Sequence, residues 1–151
     1  MGKQDFTPLL PPGIHKMSLD EFRQKMVDPF ADDAQRLRLF LRLEEWVTRL
    51  RVLKVSAILW LDGSFVTAKF SPGDIDCMMW NPTFLGSVSK SDESIVKGLV
   101  DRATARSLYG LDLYMESPPP PEVLHRQAYW RGLFGFQHSG VDAKGFVELA
   151  L

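Results

Sequence analysis

The 151-residue chain is poor in cysteine, close to neutral, and without a long apolar run. Its one cysteine, Cys77, excludes an internal disulfide, a CxxC redox pair and a cysteine-rich zinc site, and it fits a reducing, cytoplasmic setting. Eighteen Lys plus Arg stand against nineteen Asp plus Glu, so no global field exists to hold nucleic acid or an anionic membrane by counterion release. Any phosphate chemistry must therefore be local. Nowhere do eighteen apolar residues run together, and the start, MGKQDFTPLLPPG, has neither a continuous apolar stretch nor a small-residue cleavage site. The expectation is a chain neither exported nor membrane-bound. Phe6 also stands where a myristoylation signal carries Ser or Thr. His15, His125 and His138 are scattered, with no metal-ligand spacing among them.

What is present is an ordinary globular composition, 45% hydrophobic and 25% charged, at a length that suits one domain over residues 1–151. Pro8, Pro11, Pro12 and Gly13 make residues 1–17 an extended, turn-rich arm. Ser18 and Glu21 form a capping-box pair ahead of a short helix with Leu19, Phe22, Met26 and Val27 on one side, ending near Asp28-Pro29. A longer helix is predicted from about Asp32 to Lys54. Leu37, Phe40, Leu43, Trp46, Val47 and Leu50 recur at helical spacing there, while Arg36, Arg38, Arg42, Arg49 and Arg51 fall largely on a solvated face.

Strands follow at Val55–Leu61 and Asp74–Trp80, the second closed by Asn81-Pro82, with Cys77 directed to the core. One helix is expected from about Ser91 to Leu108 with Ile95, Leu99, Val100 and Ala103 inward, then a strand at Leu111–Met115. Residues 117–121 form a proline-rich linker able to start the helix predicted over Glu122–Phe134, and Gly145–Leu151 is a last strand. The order predicts an α/β (α+β) fold, a small mixed β-sheet with helices packed on it.

Chemistry is carried by Leu61 to Asp76, where a Gly63-Ser64 turn precedes an Asp-x-Asp pair. Glycine lets backbone approach a phosphate, and the residues entering a short helix turn amide groups toward an anion. Asp74 and Asp76, one residue apart on a strand, project the same way about 6.5–7 Å apart, near enough to share hard cations. Adjacent carboxylates raise each other's pKa, and a divalent cation relieves that repulsion. A third carboxylate is expected from a neighbouring strand, and Asp112 in Leu111–Met115 is the candidate. Against this stands the plainer reading of ordinary turns and an exposed acidic strand face.

At these residues the chain resembles the DNA polymerase beta-like nucleotidyltransferase superfamily: a hydrophobic strand and Gly-Ser (Leu59–Ser64), then an Asp-x-Asp strand (Asp74-Ile75-Asp76) and a later acidic residue. It is similar, more narrowly, to short bacterial nucleotidyltransferase-like proteins with a Leu-Pro-Pro-Gly segment (Leu10–Gly13), an Asp-Gly-Ser-Phe-Val-Thr-x-Lys run (Asp62–Lys69) and a final Lys-Gly strand (Lys144-Gly145). The resemblance implies that Gly63, Ser64 and Lys69 contact the triphosphate of a nucleoside triphosphate. It implies that Asp74, Asp76 and Asp112 bind Mg2+, with Mn2+ as a substitute, and catalyse transfer of a nucleoside monophosphate to a hydroxyl. Lys69 reads equally as a solvated lysine at a loop edge.

The acceptor is open, a protein, RNA or small molecule, because larger members add domains that this chain lacks. Arg126, Tyr129, Trp130 and Arg131 can stack a base or cover a core edge. An alternative from another class is a regulatory protein, an antitoxin or defence-system component, that binds a nucleotide or a protein partner such as a toxin on the same fold without turnover. Ser64 lacks a G-x-S-x-G setting and Cys77 an exposed one, which argues against serine-hydrolase and thiol chemistry.

Overall fold

The computed structural model describes residues 2–151. It is a mixed α/β architecture built on one five-stranded sheet. The chain runs β1 (Gly13–Lys16), α1 (Leu19–Met26), α2 (Ala34–Val52), β2 (Val55–Asp62), a 3-10 turn (Ser64–Val66), β3 (Ile75–Phe84), α3 (Lys90–Leu99), α4 (Arg102–Tyr109), β4 (Leu111–Glu116), a second 3-10 turn (Pro120–Glu122), α5 (Val123–Phe134) and β5 (Gly145–Ala150). Strand order across the sheet is β1-β5-β2-β3-β4. β2 pairs antiparallel with both β3 and β5, whereas the outer pairs β3–β4 and β1–β5 are parallel. Among the described residues no helix is long and apolar enough to cross a membrane.

Strand alternation divides the side chains between two faces. Leu59, Leu61, Ile75, Cys77, Met79, Leu111, Leu113, Val147 and Leu149 point into the larger core, which α1 to α4 cover with Phe22, Phe40, Trp46, Leu50 and Tyr109. The other face carries Trp60, Met78, Trp80 and Phe146, and Trp130 and Phe134 of α5 lie on it. α5 is tied there through Glu116, which accepts bonds from Arg126 Nε (2.5 Å) and Nη2 (2.7 Å) and from Trp130 Nε1. The basic-aromatic group on α5 is thus largely a core edge: Trp130 is buried and Arg126 is committed to Glu116.

Four expectations need correction. Residues 13–16 are a strand rather than arm, because the parallel register of Gly13 with Gly145 gives their backbone groups partners. β3 does not stop at Asn81-Pro82. Pairing passes from Ser56–Thr83 to Ile58–Trp80, so Asn81 (φ 51°) and Pro82 sit in a bulge opposite Ala57, where a missing N–H costs no ladder bond. The helix expected from Ser91 to Leu108 is two helices, since Asp101 caps α4 by accepting from Thr104 N (3.0 Å). Ile95 and Ala103 are exposed in consequence, and Val96, Ala105 and Tyr109 are buried instead.

Arg36 is the fourth. It is fully buried rather than solvated. Its guanidinium donates to the carbonyls of Met26 (3.0 Å), Phe65 (2.5 Å), Thr67 (2.9 Å) and Lys69 (2.7 Å). Asp33 caps α2 through Arg36 N and accepts from Ser71 N (2.8 Å). One buried pair therefore holds α1, α2 and the segment 65–71 together. Burial disfavours the Asp33 carboxylate, but the Ser71 and Arg36 amides and the guanidinium outweigh it and hold its pKa below the ordinary range.

Candidate active site

Sheet register brings three aspartates side by side. Asp62 at the end of β2 faces Asp76 near the start of β3, and Asp76 faces Asp112 near the start of β4. Two residues further along, Trp60, Met78 and Tyr114 form the next row on the same face. The carboxylate row therefore lies on the α5 face of the sheet, at the end away from the Glu116 anchor. Asp74 stands just before β3, two residues from Asp76.

The Gly63-Ser64 turn closes the row from the β2 side. Gly63 has φ 89° and ψ −165°, a conformation that disfavours a side chain, and a Cβ there would come within 2.9 Å of Asp76 Oδ2. Only glycine leaves that carboxylate its place. The turn continues into the 3-10 segment, with Val66 N bonded to Gly63 O and Thr67 N to Ser64 O, and Arg36 fixes its carbonyls from beneath.

Cations surround the row in two ways. Lys144, just before β5, is buried with its Nζ 3.0 Å from Asp62 Oδ1. That ion pair and the Gly63 backbone amide both favour the charged form of Asp62 against its burial. From α4, Arg102 donates to Asp112 Oδ1 and to the Tyr114 hydroxyl (2.9 Å each), and Tyr114 donates to Asp112 Oδ2 (3.2 Å). Arg106 lies 3.7 Å from both Asp74 Oδ2 and Asp112 Oδ1.

Burial pushes the Asp76 carboxyl up to about 6; the Asp74 and Asp112 charges add to this, and Lys144 and Lys3 oppose it. Asp62 is pushed up to about 7, again chiefly by burial, with Lys144 pulling it down. Both carboxyls hold a proton more tightly than an ordinary carboxylate, and a cation bound beside them would relieve the same repulsion.

Of the residues expected from sequence, Gly63, Ser64, Asp74, Asp76 and Asp112 are brought together. Lys69 places its ammonium 5.5 Å from the Phe6 ring centroid, and its carbonyl accepts from Arg36. Sequence reasoning assigned no role to Asp62, Lys144, Arg102 or Arg106. The i,i+4 spacing of the two arginines just ahead of the Asp112 strand was an available signal, obscured by reading α3 and α4 as one helix.

The family model described as "Family of unknown function (DUF6932)" matches residues 3–150. The chain belongs to this family. No curated protein and no solved structure matches it.

In this DUF6932 chain, among the described residues, no three His, Cys, Asp or Glu side chains converge on one metal position as they stand. Asp112 and Asp74 are turned toward the guanidiniums of α4 instead. The donor set still has the hard-oxygen chemistry that Mg2+ and Mn2+ take, with the Asp76 carboxylate packed against the Gly63 backbone where a Cβ would collide with it. Their chemistry suits a hard divalent cation, which would require the half-buried Asp74 and Asp112 carboxylates to turn from the guanidiniums toward Asp76. Two concavities of about 320 and 180 Å³ lie elsewhere, around Val27, Phe30 and Asp33, and around Val55, Phe84 and Val96, and neither includes a carboxylate of the row.

Proposed function

We propose that the protein is a metal-dependent nucleotidyltransferase that moves a nucleoside monophosphate from a nucleoside triphosphate to a hydroxyl of a protein, RNA or small-molecule acceptor. The observation that carries this reading is the alignment of Asp76 with Asp112 across β3 and β4, beside Asp74 and against the Gly63 turn. Asp74, Asp76 and Asp112 are the residues that would hold Mg2+ or Mn2+, which when bound neutralises charge on phosphate oxygens. Gly63 lets the triphosphate lie against backbone with no Cβ intervening, and Ser64 adds its amide and hydroxyl at the start of the 3-10 turn.

Asp112 orients the acceptor hydroxyl and takes its proton as the oxygen–Pα bond forms and the bond from Pα to the β-phosphate oxygen breaks, releasing pyrophosphate. Trp60, Met78 and α5 keep one side of the row apolar and dry. A cytoplasmic location follows from dependence on nucleoside triphosphates.

A second reading, a regulatory protein that holds a nucleotide or a partner such as a toxin without turnover, is favoured by the arginines that occupy Asp112 and Asp74. Incubation with each ribonucleoside triphosphate and Mg2+, followed by mass detection of nucleotidylated products, separates the two. The transferase reading expects product from the wild type and none from Asp76→Asn. Nucleotide binding without product, with protein, RNA and small-molecule acceptors all supplied, selects the regulatory reading.

A further inference from the structure

We propose that Arg102 and Arg106 form the polyphosphate-binding edge of this site: paired with Asp112 and Asp74 in the metal-free protein, they exchange those carboxylates for phosphate oxygens when a divalent cation and a polyphosphate enter together. The inference rests on the carboxylate row being a cation site, and it adds which residues hold the anion.

α4 gives the two guanidiniums a fixed base. Asp101 caps its start, Gly110 (φ 66°) ends it in the left-handed conformation, and Ala105 and Tyr109 are buried on its inner side. Arg102 and Arg106, one turn apart, face the same way. Two like charges at that spacing repel modestly, and anions placed between them relieve the repulsion. In the metal-free protein those anions are Asp112 and Asp74.

The cations near the row differ in whether they can leave it. Lys144 is 9% exposed against an Asp62 that is 4% exposed, and moving it would strand a buried charge. Arg126 is held to Glu116 by two short bonds at the opposite end of the face. Arg102 and Arg106 are 60% and 63% exposed, against 19% and 33% for the Asp112 and Asp74 carboxylates, and pairs with one solvated partner contribute much less to stability than a buried pair. Separating them costs little. A guanidinium freed beside the row presents the fork of N–H donors that suits phosphate oxygens.

The competition works in one direction without polyphosphate and in the other with it. With the cation alone, the guanidiniums and the metal contend for the same carboxylate oxygens. With the polyphosphate present, cation and guanidinium share the anion and cease to contend.

Isothermal titration of the full chain with Mn2+ alone, then with inorganic tripolyphosphate in Mn2+ and in EDTA, tests this. Arg102→Ala and Arg106→Ala should bind Mn2+ alone more tightly than wild type, and should bind tripolyphosphate in Mn2+ roughly ten-fold or more weakly, the loss of a charge-assisted phosphate contact. Arg38→Ala, which removes an exposed arginine on α2, should change neither. Mn2+ enhancement of water proton relaxation gives a second readout of the metal.

If Asp76→Asn abolishes Mn2+ binding while the α4 variants bind tripolyphosphate like wild type, the arginine assignment is wrong and the cation site stands. If Asp76→Asn leaves Mn2+ binding intact, the cation site itself is wrong. Weaker Mn2+ binding in the arginine variants overturns the exchange, and no tripolyphosphate binding by wild type in either condition overturns both.

Discussion

Replacing Asp76 by Asn should stabilise the metal-free protein at neutral pH. In the fold the Asp76 pKa rises from 3.8 to about 6, by burial first and then by Asp74 and Asp112. A carboxyl whose folded pKa lies above its unfolded value binds its proton more tightly when folded. Its favourable contribution is complete below pH about 4 and is lost as pH rises through about 6. Two pH units correspond to about 3 kcal/mol of such cost above that window. The neutral amide avoids the charge but keeps a polar group in a part-buried place, at about 1 kcal/mol.

A net gain of roughly 1–2 kcal/mol follows for Asp76→Asn at pH 7.5 in EDTA, or about 3–6 °C in Tm for a domain of this size. At pH 4.5 wild-type Asp76 is already mostly protonated, and the two proteins should melt nearly together. Millimolar Mg2+ reverses the ranking at pH 7.5, raising the wild-type Tm through linkage and leaving the variant unmoved. Thermal melts over this grid of pH and Mg2+ suffice. A variant less stable than wild type at pH 7.5 in EDTA would refute the reasoning, because it would make Asp76 a structural partner rather than a strained ligand.

Two further substitutions address the groups that support the row. Lys144→Met leaves Asp62 buried without its counter-charge, so its folded pKa climbs above about 7 and it takes up a proton; protonation caps the loss of stability at about 1 kcal/mol at pH 7.5, and at pH 5, where Asp62 is protonated in both proteins, the loss vanishes. Urea unfolding at both values checks the sign, and adding Asp62→Asn should recover most of the loss. Arg36→Met strands the carbonyls of Met26, Phe65, Thr67 and Lys69 and leaves Asp33 unpaired, at about 3–5 kcal/mol. Arg36→Lys should rescue little, since an ammonium cannot span four carbonyls, and limited proteolysis of both variants should cut first within 64–71.

Legibility in the sequence followed the range over which each signal acts. Helix α1, the strands β2, β4 and β5, and the parity that turns Cys77 inward and Asp76 outward all rest on local alternation, and the fold agrees with them. β1 has only four residues, and its partner lies more than 130 positions away, so nothing local marked it as a strand. Pro82 looked like a terminator because its bulge depends on the partner strand. Asp74, Asp76 and Asp112 were readable as a set from spacing and strand type. Asp62 was not, because only the antiparallel register of β2 on β3 places it in the row. Arg36 resembled its solvated neighbours on α2, and its burial depends on carbonyls offered by a loop some thirty residues on.

The exposure of each basic side chain accounts for how the acidic row can be at once stable and open to a ligand. Arg36 is fully buried and bonds to backbone, so it shapes the 64–71 loop and cannot take part in exchange. Lys144 is nearly buried and bonds one carboxylate, so it offsets part of the burial cost of Asp62, whose pKa still stands at about 7, and acts on Asp76 only at longer range. Arg102 and Arg106 are exposed and face the remaining two carboxylates. Asp76, between the buried lysine and the exposed arginines, forms no ion pair of its own among the described residues. A site made only to be stable would place a fixed cation there or an apolar residue, as the neighbouring Met78 shows the same face accepts. Leaving Asp76 without its own counter-charge favours whatever positive charge arrives from solution, and the exposed arginines beside it are the groups that can give way to that charge.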